Sequence, residues 1–160
     1  MASKDVTLVH LKVKQETQLD GSNQPSIGGV DYHRLYVPYK RLMEKGERIQ
    51  FFGWEKDEDG NDLGYEILKQ FDLSNVKNLV IGRFAQLTNH KAFKEWLTDK
   101  GVRLILDNDD YWELEKDNPA QEYYRKVAAP NITSCIEIAD VVTTPSEYLR
   151  DKMSKLRTNA

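Results

Sequence analysis

The 160-residue chain lacks the features that define several classes of protein. Its single cysteine, Cys135, excludes an internal disulfide and suits a reducing compartment. No apolar run approaches the roughly 20 residues that a membrane-spanning helix needs. The N-terminal residues also lack the apolar core of a signal peptide. We therefore expect a cytoplasmic protein with no transmembrane segment.

Charge of neither sign dominates the chain. There are 23 Lys and Arg residues against 26 Asp and Glu residues, which gives a net charge of −3. Because the basic residues are spread along the sequence, they form no footprint for nucleic acid, and we expect no nucleic-acid partner. A chain of this length can bury about 70% of its unfolded surface, so a single domain without disulfides is expected.

Motifs for phosphate binding and for nucleophilic catalysis are also missing. Neither GxGxxG nor GxxxxGK[ST] occurs in the sequence. Cys135 falls in a predicted helix without a histidine placed to activate it. Residues 55–64 are interpreted as a solvated acidic loop, because they lack the turn glycine and the final glutamate of a calcium loop.

Apolar runs and helical patterns alternate along the chain. Branched and aromatic residues predict strands at 6–13, 48–54, 78–84, 102–106 and 140–144. Helical periodicity predicts helices at 30–45, 65–71, 88–100, 119–128, 131–139 and 145–156. Pro38 is expected to kink the first helix, and Pro130 to separate two later ones. Residues 15–29 have the composition of a loop. The alternation predicts a single α/β domain with a doubly wound, mainly parallel, Rossmann-like sheet and helices on both faces.

The predicted strand 102–106 leads into the main candidate site. It is followed at once by acidic and aromatic residues, namely Asp107, Asp109, Asp110, Tyr111 and Trp112. In open α/β sheets, ligands bind beyond the carboxyl ends of the strands, so these side chains are candidates to grip a polar ligand. The alternative is that they only begin a loop and cap a helix.

Two aspartates at the same strand end are candidate metal ligands. Asp107 and Asp109 form a D-x-D pair, which can hold Mg²⁺ or Mn²⁺ together with a sugar diphosphate. No histidine or distant carboxylate can be tied to this pair from the sequence. We therefore expect no Mg²⁺ or Mn²⁺ and no tightly bound cofactor.

Three segments, at residues 28–38, 106–112 and 138–149, resemble parts of glycosyltransferases of the two-Rossmann (GT-B) type, similar to families 1 and 4. Residues 28–38 (GGVDYHRLYVP) look like the glycine, tyrosine, arginine and proline pattern near the start of these enzymes. Residues 106–112 (LDNDDYW) resemble their acidic strand end, and residues 138–149 (IADVVTTPSEYL) are similar to one of their strand–helix units. The three occur in the same order as in the family and span most of the chain.

The resemblance implies that residues 1–160 are the N-terminal, acceptor-side domain of a nucleotide-sugar-dependent glycosyltransferase. It implies that a loop with Gly28 and Gly29 approaches the reaction centre, with Tyr32 and Arg34 near the helix start. On this comparison, the C-terminal donor-binding domain of the family is expected to be missing from residues 1–160. Catalysis by the chain alone is therefore expected to be incomplete, and a second polypeptide could supply the missing half.

The same resemblance assigns roles at the strand end. Asp109 and Asp110 are the expected catalytic residues, either as the base or as ligands of acceptor hydroxyls, since carboxylates accept several hydrogen bonds. Asp107, Trp112 and Ser146 complete the expected substrate-binding set, and Trp112 is equally compatible with packing under the loop. A nucleotide sugar is the implied co-substrate, and a carbohydrate or glycan-like molecule the implied acceptor.

Two alternatives come from other functional classes. The first is a non-catalytic binding or structural module that uses the same fold, because fold does not determine function. The second is a CheY-like or other flavodoxin-type regulator with acidic strand ends. The absence of a recognisable Lys/Thr pair at the later strand ends argues against this regulator.

Overall fold

A computed structural model describes residues 4–17, 23–53, 68–83, 87 and 89–157 of the chain. The strands in these residues are β1 (Val6–Leu11), β2 (Val13–Thr17), β3 (Asn23–Ile27), β4 (Ile49–Gly53), β5 (Val76–Gly82), β6 (Arg103–Asp107) and β7 (Val141–Thr143). The α-helical segments are α1 (Gly29–Asp31), α2 (Val37–Glu44), α3 (His90–Asp99), α4 (Gln121–Tyr123), α5 (Ala129–Ile138) and α6 (Glu147–Arg157). The predicted acidic loop at 55–64 and the first three residues of the predicted helix at 65–71 lie outside the described residues.

Five of the strands form one parallel sheet in the order β4-β1-β5-β6-β7. Numbered along the chain, the strands of this sheet follow the order 2-1-3-4-5, which is the flavodoxin-like order. Their direction of winding reverses between β1 and β5, where Val9 pairs with Val80. The carboxyl ends of β1 and β5 therefore border the crevice in which doubly wound sheets bind their ligands.

Helices cover both faces of this sheet, because both faces of its central strands are apolar. Val9 and Val80 pack with Leu35 on one face. The other face carries the larger core, to which α3, α5 and α6 contribute Phe93, Ile136 and Leu149 beside Leu79 of β5. Burying one such side chain fully contributes about 1.5–3 kcal/mol. The predicted α/β fold with a doubly wound parallel sheet is confirmed.

A short hairpin occupies residues that were predicted as loop. β1 ends at Leu11, and after Lys12 the chain enters β2, which pairs antiparallel with β3 from Val13↔Ile27 onward. The prediction of a loop throughout 15–29 is wrong here. Pro25 lies in β3 and cannot donate to a ladder, but a two-stranded ribbon has only edge strands, where proline is tolerated.

Two prolines lie inside helices that continue past them. α1 passes through a π-helical turn, π1 (Tyr32–Tyr36), into α2, and α4 passes through π2 (Tyr124–Ala128) into α5. The N–H groups that close these turns, on Val37 and Ala129, each donate to the carbonyl five residues back. Pro38 and Pro130 follow one residue later and have no N–H to donate. The wider turns accommodate both prolines, so the predicted separation at Pro130 does not occur.

A side-chain cap begins α3, and a glycine follows its end. The Asn89 side chain accepts the Ala92 N–H at 3.0 Å and caps α3. The chain leaves α3 through Gly101 at φ 64°, a left-handed conformation that favours glycine. Among the described residues, no helix is long and apolar enough to cross a membrane.

Candidate functional site

Charged side chains from three separate segments of the chain meet at the carboxyl edge of the sheet. Asp107 is the last residue of β6, and Asp109 follows in the next loop. Arg83 follows β5, while Asp31 and Arg34 come from the α1 and π1 turns after the hairpin. We call these five residues, together with Asp110, the strand-end network.

Asp107 and Arg34 form the inner part of the strand-end network. Arg34 donates from Nε to Asp107 Oδ2 at 2.6 Å and from Nη2 to Asp107 Oδ1 at 2.7 Å. The Thr143 hydroxyl also donates to Asp107 Oδ1, at 2.7 Å. The hydrogen bond to Asp107 is the largest effect on the pKa of Arg34, and it raises that pKa. Asp107 is therefore engaged by the protein, and it anchors the first helix to β6.

Arg83 forms the outer part of the strand-end network. Its guanidinium contacts Asp109 Oδ1 from Nε at 2.9 Å and Asp110 Oδ2 from Nη1 at 2.7 Å. The Arg83 side chain is only 8% exposed, whereas those of Asp109 and Asp110 are 21% and 58% exposed. A buried cation thus holds two carboxylates at the surface.

The loop that carries these two carboxylates is fixed by Asn108. Its backbone N–H donates to the Thr143 carbonyl at 2.9 Å, and its side-chain Nδ2 donates to the Asp110 carbonyl at 2.9 Å. Asn108 is fully buried. The position of Asp109 and Asp110 is therefore set by backbone contacts as well as by Arg83.

Asp31 lies beneath the same crevice and was not predicted as a site residue. It is 5% exposed, and its Oδ2 accepts the Lys12 N–H at 2.6 Å. Burial raises the pKa of Asp31, and the nearby carboxylates of Asp107 and Asp109 act in the same direction. Lys12 opposes the shift through its N–H and its charge. The sequence signal that could have identified Asp31 is its position two residues after the Gly28-Gly29 pair.

The predicted glycine loop does reach the carboxyl end of β1. The Gly28 N–H donates to the Lys12 carbonyl at 3.1 Å, and Gly29 begins α1. A Cβ on Gly82, at the end of β5, would come within 3.3 Å of Asp31 Oδ1. The backbone is therefore closely packed where β1, β5 and this loop meet.

Tyr32 is placed towards a different part of the molecule. It is 43% exposed, and its ring stacks on Tyr36 with centroids 5.6 Å apart. Tyr36 in turn contacts Phe51 of β4 at 5.2 Å. Among the described side chains, no contact joins Tyr32 to the strand-end network.

Trp112 and Ser146, two further predicted substrate-binding residues, make packing and helix-capping contacts. Trp112 is 6% exposed and belongs to the larger core. Ser146 Oγ accepts the Leu149 N–H at 3.2 Å, which caps the start of α6. Their roles as substrate-binding residues stay predictions, and the contacts found here are those of packing and helix capping.

The exposed aromatic surface next to the strand-end network comes from Tyr111 and Tyr148. Their ring centroids are 5.9 Å apart, and Lys152 Nζ lies 5.5 Å and 5.4 Å from them. The Tyr111 hydroxyl donates to Glu113 at 2.6 Å, a contact that raises the pKa of Tyr111 to about 12. The sequence did not reveal Tyr148, because it lies on a helix that starts 36 residues after Tyr111.

Neither a metal cluster nor an activated nucleophile is found at this edge. Among residues 4–17, 23–53, 68–83, 87 and 89–157, no three His, Cys, Asp or Glu side chains are arranged to hold a metal ion. His10 is 3% exposed, and burial, with a smaller contribution from Lys12, lowers its pKa to about 3. Cys135 is buried in the core, and burial raises its pKa to about 12. The edge offers hydrogen-bond acceptors and guanidinium groups.

The comparisons with known proteins give structural likenesses only. No family model matches the chain, and no curated protein matches it in sequence. One similar structure is the signal receiver domain of a LuxO repressor protein from Vibrio parahaemolyticus. It has 9% identity and a TM-score of 0.39, over 98% of this chain and 92% of that one.

A second similar structure is a PLP-bound aminotransferase from Clostridium difficile 630. It has 14% identity and a TM-score of 0.43 over 99% of this chain, which spans only 40% of the length of that protein. Both TM-scores are below 0.5, so neither likeness assigns an activity to this chain.

These findings correct the glycosyltransferase prediction. Neither of the two similar structures is a glycosyltransferase, and no family model supports that family. The prediction that the chain is the acceptor-side half of a nucleotide-sugar-dependent glycosyltransferase is therefore wrong. A physical reason is that the three resembling segments contain a capped helix start, a strand end and a proline-bearing helix, which recur in doubly wound sheets of unrelated function.

Proposed function

We propose that the strand-end network is a binding site for a small polyhydroxylated molecule of the carbohydrate class, and that the domain binds this ligand without transferring it. The observation that carries the proposal is the pair of surface carboxylates, Asp109 and Asp110, held by the buried Arg83. Neighbouring hydroxyl groups of a sugar donate hydrogen bonds, and two adjacent carboxylates are well suited to accept them.

The rigidity of the site supports this proposal. Asp107 is held by Arg34 and Thr143, and Asn108 ties the following loop to β7. A site whose polar groups are already positioned loses little conformational entropy when a ligand binds. Its location also agrees, because the crevice lies at the reversal of strand order between β1 and β5.

The surroundings of the carboxylates favour a ring-shaped ligand. Tyr111 and Tyr148 present aromatic surface beside the loop, and Tyr148 is 59% exposed. The less polar face of a sugar ring packs on such surfaces while its hydroxyls reach nearby acceptors. The proposed contacts are thus Asp109 and Asp110 for hydroxyls and Tyr111 for a ring face, with Gly28 and Gly29 at the edge of the crevice.

Binding is favoured over catalysis by the chemistry of the described side chains. Arg34, Arg83 and Asp107 are engaged in ion pairs at this edge. A nucleophile needs an adjacent group that activates it, whereas the thiol of Cys135 is buried in the core with its pKa raised to about 12. We also propose a reducing, cytoplasmic compartment, because this lone thiol is free.

Titration of the ¹⁵N-labelled chain with glucose, galactose, mannose and maltose tests the proposal. We expect saturable amide shifts at residues 107–111 for at least one of the four sugars, and none for tetrahydropyran-2-methanol, which keeps the ring but only one hydroxyl. The double variant Asp109→Asn, Asp110→Asn should weaken binding at least tenfold, because it removes both carboxylates. Asp99→Asn, an exposed change at the end of α3, is the matched control and should leave binding unchanged.

Two results would overturn the proposal. One is the absence of saturable shifts for all four sugars up to 100 mM. The other is an affinity in the double variant that stays within twofold of the original chain.

A further inference from the structure

A separate cavity of about 420 Å³ lies beside the second π turn. Its apolar surface includes Trp112, Leu114, Ala129 and Pro130, and Arg125 contributes a charged group. It is formed between the loop after β6 and one side of the helix that runs through α4, π2 and α5. The volume is within the range of about 300–1,000 Å³ typical of small-molecule sites.

The spacing of residues along the helix explains this wall of the cavity. Gln121, Arg125 and Ala129 recur every four residues and line the same side, and the wider turn π2 lies between the first and the last of them. Pro130 adds an apolar ring next to Ala129. Thr133 lines the far end, where its hydroxyl already donates to the Ala129 carbonyl at 2.9 Å. The helix therefore contributes an apolar patch from Ala129 and Pro130, and its one charged group in the lining is Arg125.

Arg125 is the cation available to a ligand in this cavity. Its side chain is exposed, and no hydrogen bond or ion pair joins it to any residue in the described part of the chain. The neighbouring Lys126, in contrast, pairs with Glu122 at 2.6 Å. Glu113 also lines the cavity, but its carboxylate accepts a hydrogen bond from the Tyr111 hydroxyl at 2.6 Å.

We propose that this cavity binds a small aromatic carboxylate, with its ring against Trp112 and Pro130 and its carboxylate on Arg125. A guanidinium binds a carboxylate through two parallel hydrogen bonds, which supplies both affinity and orientation. Trp112 is 6% exposed and held in the core, so it offers a fixed aromatic surface. This site is distinct from the strand-end network, because none of its lining residues belongs to that network.

The test uses naphthalene-1-carboxylate and its uncharged analogue, naphthalene-1-carboxamide, with the full chain. We expect saturable binding of the carboxylate and at least tenfold weaker binding of the amide in calorimetric titrations. Arg125→Gln should weaken binding of the carboxylate at least tenfold and change that of the amide less than twofold, because only the charge-assisted contact is removed. Lys126→Gln, on the same turn and outside the cavity, is the matched control and should leave both affinities unchanged.

A second variant tests the position of the aromatic ring. Ala129→Leu fills part of the cavity and should abolish binding of both probes, while circular dichroism confirms that the chain is folded. The Asp109→Asn, Asp110→Asn variant should bind the carboxylate as the original chain does, which separates this site from the proposed sugar site. The inference is overturned if the carboxylate shows no saturable binding, or if Arg125→Gln binds it within twofold of the original chain.

Discussion

Arg34 and Asp107 are 73 residues apart in the chain and are joined by two parallel hydrogen bonds of 2.6 and 2.7 Å. Arg34 lies in the turn π1, and Asp107 is the last residue of β6. The pair therefore ties the first helix to a strand on the far side of β1 and β5. It sets the geometry of the crevice before any ligand enters.

Breaking this pair should cost much more than breaking an exposed one. Asp107→Asn leaves the Arg34 guanidinium, which is 26% exposed, without its counter-charge, and should lower the free energy of unfolding by about 2–3 kcal/mol. Asp5→Asn, which removes an exposed contact with Arg48, is the control and should cost less than about 1 kcal/mol. Urea unfolding at pH 7 measures both. Equal losses in the two variants would show that the Arg34 contact contributes no more than a surface ion pair.

The buried His10 should make stability fall in mild acid. Burial lowers its pKa from 6.5 to about 3, so the folded state resists a proton that the unfolded chain takes up below pH 6.5. Stability from this group is therefore complete above pH 6.5 and declines as the pH falls towards 3. Between pH 7 and 5 the original chain should lose about 2 kcal/mol more than His10→Phe.

The His10 prediction is checked by urea unfolding of both chains at pH 7, 6 and 5. Leu8→Val, in the same strand, changes packing without adding or removing a titrating group, and should keep the pH dependence of the original chain. If His10→Phe shows the same pH dependence as the original chain, His10 is not responsible for the loss.

Asp31 should have the opposite pH dependence. Its pKa is raised, mainly by burial, so the folded state holds its proton more tightly than the unfolded chain does. The folded state is then favoured at low pH, and this advantage is lost as the pH rises through the folded-state pKa. Asp31→Asn keeps an oxygen that can accept the Lys12 N–H and carries no charge. We expect the variant to be more stable than the original chain at pH 7 and closer to it at pH 3.5. Thermal unfolding of both chains at the two pH values tests this expectation. A variant that is less stable than the original chain at pH 7 would contradict a raised pKa for Asp31.

Asp140 should stabilise the fold in its ionised form. Burial acts to raise its pKa, but contacts with Lys94 and the Leu104 N–H outweigh burial and lower it. This stabilisation is present above the ordinary pKa of 3.8 and is lost as the pH falls through the lower folded-state pKa. Asp140→Asn should cost about 1 kcal/mol at pH 7 and progressively less below pH 3.8. Urea unfolding at pH 7 and 3 measures the difference, and a loss that is independent of pH would exclude the charge as its cause.

The sheet was predictable because its strands carry their own local signal. The run at 102–106 is apolar enough to predict a strand buried on both faces, and β6 is found one residue later, at Arg103–Asp107. β3 was missed because Asn23–Ile27 contains Pro25 and only one β-branched residue. It forms by pairing with β2. Such a strand depends on its partner rather than on its own composition.

The candidate site was predictable only in part. Asp109 and Asp110 directly follow a predicted strand, so their place at the carboxyl edge followed from the fold. Arg83 was missed because a single arginine after an apolar run gives no indication of its direction, and only the tertiary structure brings it to these aspartates. The short pattern at 138–149 suggested a glycosyltransferase, but two of its residues have structural contacts. Its serine caps α6, and Asp140 accepts the Leu104 N–H. Residue types recur at such positions for structural reasons in proteins of different function.

The two π turns are places where the chain can lose one residue without changing its core. A π turn behaves as one residue inserted into an α-helix, with the flanking turns kept in phase. Deleting one residue from Tyr124–Ala128 and replacing Pro130 with alanine should therefore give an uninterrupted α-helix that still buries Ile132 and Ile136. A deletion inside a helix normally rotates every side chain beyond it by about 100°. At these two turns a homologue one residue shorter could keep the same core.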